Sequence, residues 1–174
     1  KDLTRQLLTF ARGGAPIKKT TTIDNLLQET VQFTLSGSNI KPRVHITGNL
    51  SHVDVDEGQI SQVISNIIIN AADSMPDGGY IDIVAENIPV SDIEGVIPGG
   101  QYVRIAITDQ GYGIQPDDVQ KVFDPYFSRK EYGSGLGLTT SYSIIKKHGG
   151  QIIVDSTPGS GSTFYIYLPA STSS

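Results

Sequence analysis

The sequence predicts an α+β fold: a two-layer α/β sandwich in which a mixed, mostly antiparallel sheet of about five strands carries helices on one face. Three observations carry this expectation. Apolar residues alternate in strand-like runs, among them YIDIVAEN at 80–87, YVRIAITD at 102–109 and STFYIYL at 162–168. Elsewhere they recur three and four residues apart, most strongly in EGQISQVISNIIINAADSM at 57–75. The strand-like and helix-like runs do not alternate strictly, and that order points to α+β.

Taken in order, LTRQLLTFA (3–11) has near-helical spacing of Leu3, Leu7, Leu8 and Phe10 and stops at Gly13-Gly14. A second helix is predicted from about Ile23 to Leu35, and RVHIT (43–47) reads as a short strand. The helix at 57–75 ends at Pro76-Asp77-Gly78-Gly79, a turn signal. The Pro- and Gly-bearing segment 89–100 suits a loop between the strands at 80–87 and 102–109. DDVQKVF (117–123) follows Pro116 as a short helix. After an irregular stretch to about Gly135, a helix runs to His148 and closes at Gly149-Gly150. QIIVDS (151–156) and STFYIYL then form a hairpin across Pro158-Gly159.

The chain has 174 residues, enough for one domain with a real core. A formal net charge of -5 without a long basic run argues against a nucleic-acid surface. Cysteine is absent, which excludes disulfides, thiolate metal sites and cysteine nucleophiles. No apolar run approaches the ~18 residues of a membrane span, and no signal peptide is visible. The chain opens at Lys1, without Met and already within a helical pattern, so a piece of a longer protein is expected.

Three stretches carry chemistry. On a helical wheel of residues 57–75, Ile60, Ile64, Ile67, Ala71 and Met75 share one arc, facing a core. Gln62, Asn66, Asn70 and Asp73 fall on the opposite side. Asn66 and Asn70 are one turn apart, and their amides offer carbonyl oxygens suited to Mg²⁺ and NH₂ groups suited to phosphate. The alternative is the solvated face of an amphipathic helix, against which asparagine's poor helix propensity weighs. Asp109 ends a strand, and Gly111 and Gly113 follow it. A carboxylate there can accept from an exocyclic amine such as adenine N6, while the glycines let a flat base approach the backbone; an ordinary Asp-Gly turn is the other reading. Finally, GSGLGL at 133–138 opens a helix and is either a phosphate cradle or a flexible turn.

In order, these pieces resemble the catalytic, ATP-binding domain of sensor histidine kinases, within the group shared with gyrase, a heat-shock chaperone and mismatch-repair ATPases. QVISNIIINAADSM is similar to the family's asparagine box, DQGYGI to its first glycine box and VFDPYFSRK to its phenylalanine box. GSGLGL resembles the second glycine box, and GSGSTFYIYLP the terminal glycine-threonine strand, so the likeness covers about residues 57 to 169. It implies ATP and Mg²⁺ as cofactors and a set of roles. Asn70 and Asn66 would lie at the Mg²⁺ and the phosphates. Asp109 would bond adenine N6, Gly111 and Gly113 would shape the base pocket, and Thr163 would support adenine through water. Gly133, Gly135 and Gly137 would line the triphosphate, with Leu138 beside them at the helix N-terminus, where free N–H groups favour anions. Residues 124–134 resemble the ATP lid, anchored by Phe123, Pro125 and Phe127, with Lys130 near the γ-phosphate.

Two departures stand out. Asp73 occupies a place where many relatives carry a basic residue, so neutralising charge would come from Arg129 or Lys130. No histidine stands in the family's phosphoacceptor context: His45 falls in a strand, His52 in a turn and His148 at a helix end. LTRQLLTFARGG resembles the tail of a dimerisation helix. The resemblance therefore implies a truncated dimerisation and phosphoacceptor helix at 1–14, a catalytic ATP-binding domain at 15–170 and a tail at 171–174. The acceptor histidine would lie upstream. The implied partners are those helices, a response regulator receiver domain and a second copy in the full-length protein, with no nucleic acid. A cytoplasmic domain is implied, of a parent either membrane-anchored or soluble. Gyrase-like relatives carry a glutamate where Asn66 stands and use it to activate water. An amide cannot act as that base, which favours transfer to histidine over a hydrolytic ATPase or a non-catalytic nucleotide-binding scaffold.

Overall fold

The structure, a computed structural model, describes residues 15–90, 98–124 and 137–172. Its elements run β1 (Lys19–Thr21), α1 (Asp24–Thr34), β2 (Ile40–Ile46), β3 (Val53–Val55), α2 (Glu57–Asp73), β4 (Gly79–Val90), β5 (Gly100–Thr108), α3 (Pro116–Val119), α4 (Gly137–Lys147), β6 (Gln151–Thr157) and β7 (Gly161–Pro169). The expected helix within residues 3–11 lies outside the described residues.

The main sheet has five strands in the order β2-β4-β5-β7-β6. β2 pairs parallel with β4, and the other three pairings are antiparallel. A parallel pair cannot be closed by a tight turn, so the chain leaves the sheet after β2 and returns through α2. The sheet is thus mixed and mostly antiparallel, as the pattern of runs predicted. Alternation sets its two faces. Ile81, Ile83 and Ala85 of β4, Val103, Ile105 and Ile107 of β5, and Phe164, Ile166 and Leu168 of β7 are buried on the helix side. They pack with Ile60, Ile64, Ile67 and Ile68 of α2, Leu27 and Val31 of α1, and Ile144 and Ile145 of α4 in one core. Each Val, Leu, Ile or Phe among them contributes about 1.5–3 kcal/mol of burial. The other face carries ion pairs across neighbouring strands, Arg43–Asp82 and Arg104–Glu86, each at 2.6 Å.

α2 is central to the helix layer. Its N-cap is Asp56, whose carboxylate accepts from Gln59 N–H at 3.2 Å, and Glu57 in the first turn suits the positive end of the helix dipole. On one side its hydroxyls meet those of α1, with Thr30 against Ser61 at 2.9 Å and Thr34 donating to Ser65 at 3.2 Å. On its other side lies α4, whose last turn carries Lys146 and Lys147.

The structure differs from the sequence reading in several places: the helix expected over 117–123 covers only Pro116–Val119, and β2 starts at Ile40, ahead of the expected 43. β4 and β5 extend past their expected ends, with Pro89 opposite Gln101 and Val90 opposite Gly100, because the antiparallel ladder continues through polar and Pro-bearing positions. β1 and β3 form a separate two-stranded sheet that the periodicity did not reveal. Just after β7, Ala170 bridges Val53, and Ser171 N–H donates to His52 O at 2.6 Å.

Candidate functional site

Asp109 stands one residue beyond β5, where its N–H donates to Ser162 O at 2.9 Å and continues the ladder with β7. It is buried, at 5% exposure. Its Oδ1 accepts from the N–H of Gly111 at 2.9 Å and of Ser162 at 3.2 Å, which fixes the plane of the carboxylate. Burial pushes its pKa up, against those two backbone bonds and the nearby Ser74 hydroxyl, which pull it down.

The glycines after Asp109 have packing reasons. A Cβ on Gly111 would overlap the side chain of Ser74, which caps the C-terminal end of α2, so glycine lets the strand end lie against that helix. Gly113 has φ 73° and faces the backbone of Thr157, leaving no room for a Cβ. Two further bonds fasten this loop to the β6–β7 hairpin: Ile114 N–H to Ser156 Oγ at 2.7 Å, and Gly159 N–H to Tyr112 O at 2.7 Å. The loop is therefore rigidly placed between α2 and the hairpin.

Thr163 is not brought to the Asp109 carboxylate. It stands opposite Thr108 and shares a 3.0 Å hydroxyl–hydroxyl bond with it, on the strand face away from the core. The inward position is Ser162, buried, its N–H on Asp109 and its hydroxyl 2.8 Å from that of Ser156. Sequence reasoning missed Ser162. The signal was available: Phe164, Ile166 and Leu168 set the buried parity of β7, and Ser162 shares it.

The asparagines of α2 have different surroundings. Asn66 is not on a solvated face. It is buried against α4, donating its amide NH₂ to Gly137 O at 3.1 Å and Ser141 Oγ at 3.3 Å. The wheel sorted polar from apolar residues but could not show that a second helix packs on the polar side. Asn70, one turn on, is half-buried, and its side chain makes no hydrogen bond among the described residues. Asp73 is exposed at the end of the same helix.

Gly137 begins α4, and Leu138 is buried in the core. Phe123 is half-buried between the rings of Tyr142 and Phe164, at 5.4 and 6.2 Å. Its carbonyl accepts from Thr139 Oγ1 at 2.9 Å, so the residues on either side of the 125–136 span are held together. Pro125, Phe127, Arg129, Lys130, Gly133 and Gly135 fall outside the described residues, as does nearly all of the expected lid.

The three histidines separate cleanly. His45 on β2 and His52 before β3 are exposed. His148 is buried, its Nδ1 donating to Ile144 O at 2.8 Å and its Nε2 accepting from Asp56 N–H at 3.0 Å. Both ring nitrogens are engaged in a neutral imidazole, and burial pushes its pKa down.

Residues 55–172 match the family model described as "Histidine kinase-, DNA gyrase B-, and HSP90-like ATPase". The sensor kinase CckA of Brucella abortus (strain 2308) is 38% identical over 175 residues, covering 96% of this chain and 18% of that protein. The sensor histidine kinase ZraS of Escherichia coli (strain K12) is 32% identical over 150 residues, covering 84% of this chain and 30% of its own length. The chain thus spans less than a third of either relative. Among solved structures, full-length ShkA in complex with AMPPNP superposes with a TM-score of 0.78 at 25% identity, covering 99% of this chain and 36% of that one. A mycobacterial sensor histidine kinase, MprB, gives 0.71 at 26% identity, covering 88% of this chain and 98% of that one. The buried strand-end aspartate, the asparagine helix and the glycine-led helix beside it therefore sit in a known frame: the chain belongs to the histidine kinase-, DNA gyrase B-, and HSP90-like ATPase family, as a catalytic ATP-binding domain of the sensor histidine kinase kind.

Proposed function

We propose that this domain binds ATP with Mg²⁺ and presents the γ-phosphate to a histidine on another segment of its parent protein, for relay to the receiver domain of a response regulator. The observation that carries the reading is the Asp109 carboxylate, buried at a strand end and oriented through Oδ1 by two backbone N–H groups. A carboxylate held this way accepts a charge-assisted bond from the adenine amine, and it repels the O6 of guanine. Ser162, on the same inward face, supports it, and Gly111 and Gly113 bring the loop close on either side.

Asn70 and Asn66 fit a Mg²⁺ that takes few protein ligands. Among the described residues no three His, Asp or Glu gather to hold a metal on their own. A Mg²⁺ at this helix would draw on an amide carbonyl, the nucleotide phosphates and water, and its charge would stabilise the transferring phosphoryl group. Asn66 turns its NH₂ toward α4, so only its carbonyl can serve there. Gly133, Gly135 and Gly137 would offer backbone N–H groups to the phosphates, with Leu138 anchoring the helix start in the core and Lys130 reaching the γ-phosphate. No carboxylate replaces Asn66, so water lacks a general base at that position and transfer is favoured over hydrolysis.

The nucleophile is supplied by the dimerisation and phosphoacceptor helices of the parent, which we infer to be a homodimer. His148 cannot serve, because both its nitrogens are bonded inside the core. The test is incubation with Mg²⁺ and ATP labelled at the γ-phosphate. The isolated chain is expected to form no acid-labile phosphohistidine, and addition of an acceptor-helix polypeptide from the parent is expected to produce it on that polypeptide. Labelling of His45, His52 or His148, or rapid release of inorganic phosphate without transfer, would overturn the reading.

A further inference from the structure

Ser141 lies on the first turns of α4 and is fully buried, at 0% exposure. Its hydroxyl is 2.8 Å from Gly137 O and 3.3 Å from Asn66 Nδ2, and Asn66 Nδ2 is itself 3.1 Å from Gly137 O. The proton count allows one assignment. A carbonyl only accepts, and an amide nitrogen only donates. Gly137 O therefore receives the single Ser141 proton, and the Asn66 NH₂ donates both to Gly137 O and to Ser141 Oγ. An Asn66 flipped by 180° would set its carbonyl against Gly137 O and lose both bonds, so this network determines which end of the amide faces away from α4.

We propose that Ser141 is a positioning residue for the phosphate side of the nucleotide site: it locks the Asn66 amide in one orientation and ties the C-terminal end of the glycine-rich stretch, at Gly137, to α2. A serine within a helix ordinarily bonds back only to the carbonyl four residues earlier. Here that same bond turns the Oγ lone pair toward Asn66, so one hydroxyl serves both helices. Without it, the Asn66 NH₂ loses one of its two acceptors on α4, and its terminal sp³–sp² torsion is held less firmly. Misplacement of Asn66 and Gly137 then falls on the metal–phosphate end of the ligand and spares the adenine end. The inference rests on the reading of this chain as an ATP-binding domain.

The experiment has two arms. In the first, the ¹⁵N-labelled chain without nucleotide is compared with Ser141→Ala by NMR. The Asn66 side-chain NH₂ protons are expected to be exchange-protected in the wild type and to lose that protection in the variant. In the second, calorimetry with Mg²⁺–ATP and with adenosine is expected to show ATP affinity falling about five- to tenfold in Ser141→Ala while adenosine affinity stays within about twofold, the size of one lost hydrogen bond. Adding Ser141→Ala to Asn66→Ala is expected to cost nothing more. Ser141→Cys, nearly isosteric and a weaker bonding group, is expected to fall between and serves if the alanine variant does not fold. Unchanged Asn66 protection, equal losses for ATP and adenosine, or additive losses with Asn66→Ala would each overturn the role of Ser141. A wild-type chain that binds no nucleotide would instead overturn the ATP-binding reading and leave the first arm readable.

Discussion

The Nε2 of His148 accepts a hydrogen bond from the backbone N–H of Asp56 at 3.0 Å, joining the C-terminal end of α4 to the N-cap of α2. The carboxylate of Asp56 in turn accepts from Gln59 N–H and, at 2.9 Å, from Ile17 N–H. One imidazole thus links the incoming chain, the asparagine helix and the helix that starts at Gly137. This use of His148 requires a neutral ring with a proton on Nδ1.

Stability is therefore expected to depend on pH through His148. Burial lowers its pKa below the ordinary 6.5, with the charge of Lys18 adding to the shift and the bond to Ile144 O and the charge of Asp56 opposing it. Between the lowered and the ordinary values the unfolded chain binds more protons than the folded one, so stability falls as pH falls below the ordinary value. Urea midpoints measured from about pH 7.5 down to 5.5 should drop more in the wild type than in His148→Gln, which cannot titrate. Equal drops would remove His148 from the explanation.

Asp109→Asn is expected to weaken ATP binding by about tenfold or more, since a charge-assisted bond contributes about 1.5–3 kcal/mol. Its carboxyl is pushed up by burial, and only the ionised form accepts without donating. ATP affinity should accordingly begin to fall at a higher pH than an ordinary carboxylate would dictate as the solution is acidified. Equal affinity in the variant, read by calorimetry, would refute the assignment.

Gly111→Ala is expected to destabilise the fold by about 1–3 kcal/mol, because the new methyl group must displace the end of α2 at Ser74. Ser74→Gly in the same chain should recover part of that loss, since it removes the two side-chain atoms that the methyl meets and leaves only the close backbone oxygen of residue 74, at 2.7 Å. Thermal melts of the single and double variants test this; additive losses would mean that the two residues do not conflict.

Asn70→Ala is expected to impair Mg²⁺-dependent ATP binding more than adenosine binding, because its amide has no hydrogen-bond partner among the described residues and so has little structural work to lose. Equal weakening of both ligands would make it a residue of the fold.

The layers of the fold were legible because strand alternation and helix spacing are local, and Ile81 to Ala85 or Ile60 to Ile67 advertise their faces without help. β1 and β3 were not: KTT and VDV are three residues each, and what makes them strands is a partner 34 residues away. Within the site, Asp109 could be picked out from its place at a strand end. Asn66 stood out on the polar side of the wheel, but its surroundings did not, since a wheel has no second helix in it and the partner Ser141 sits 75 residues on. Thr163 drew the eye as a threonine in a familiar string, while the parity of its own strand pointed to Ser162.

The central claim is that this site takes ATP through Asp109, and calorimetric titration of the wild-type chain with ATP and with GTP, each with Mg²⁺, tests it most directly. One ATP is expected to bind per chain, with GTP at least about tenfold weaker because guanine O6 faces the carboxylate in place of an amine. No binding of ATP, or equal binding of GTP, would contradict the account.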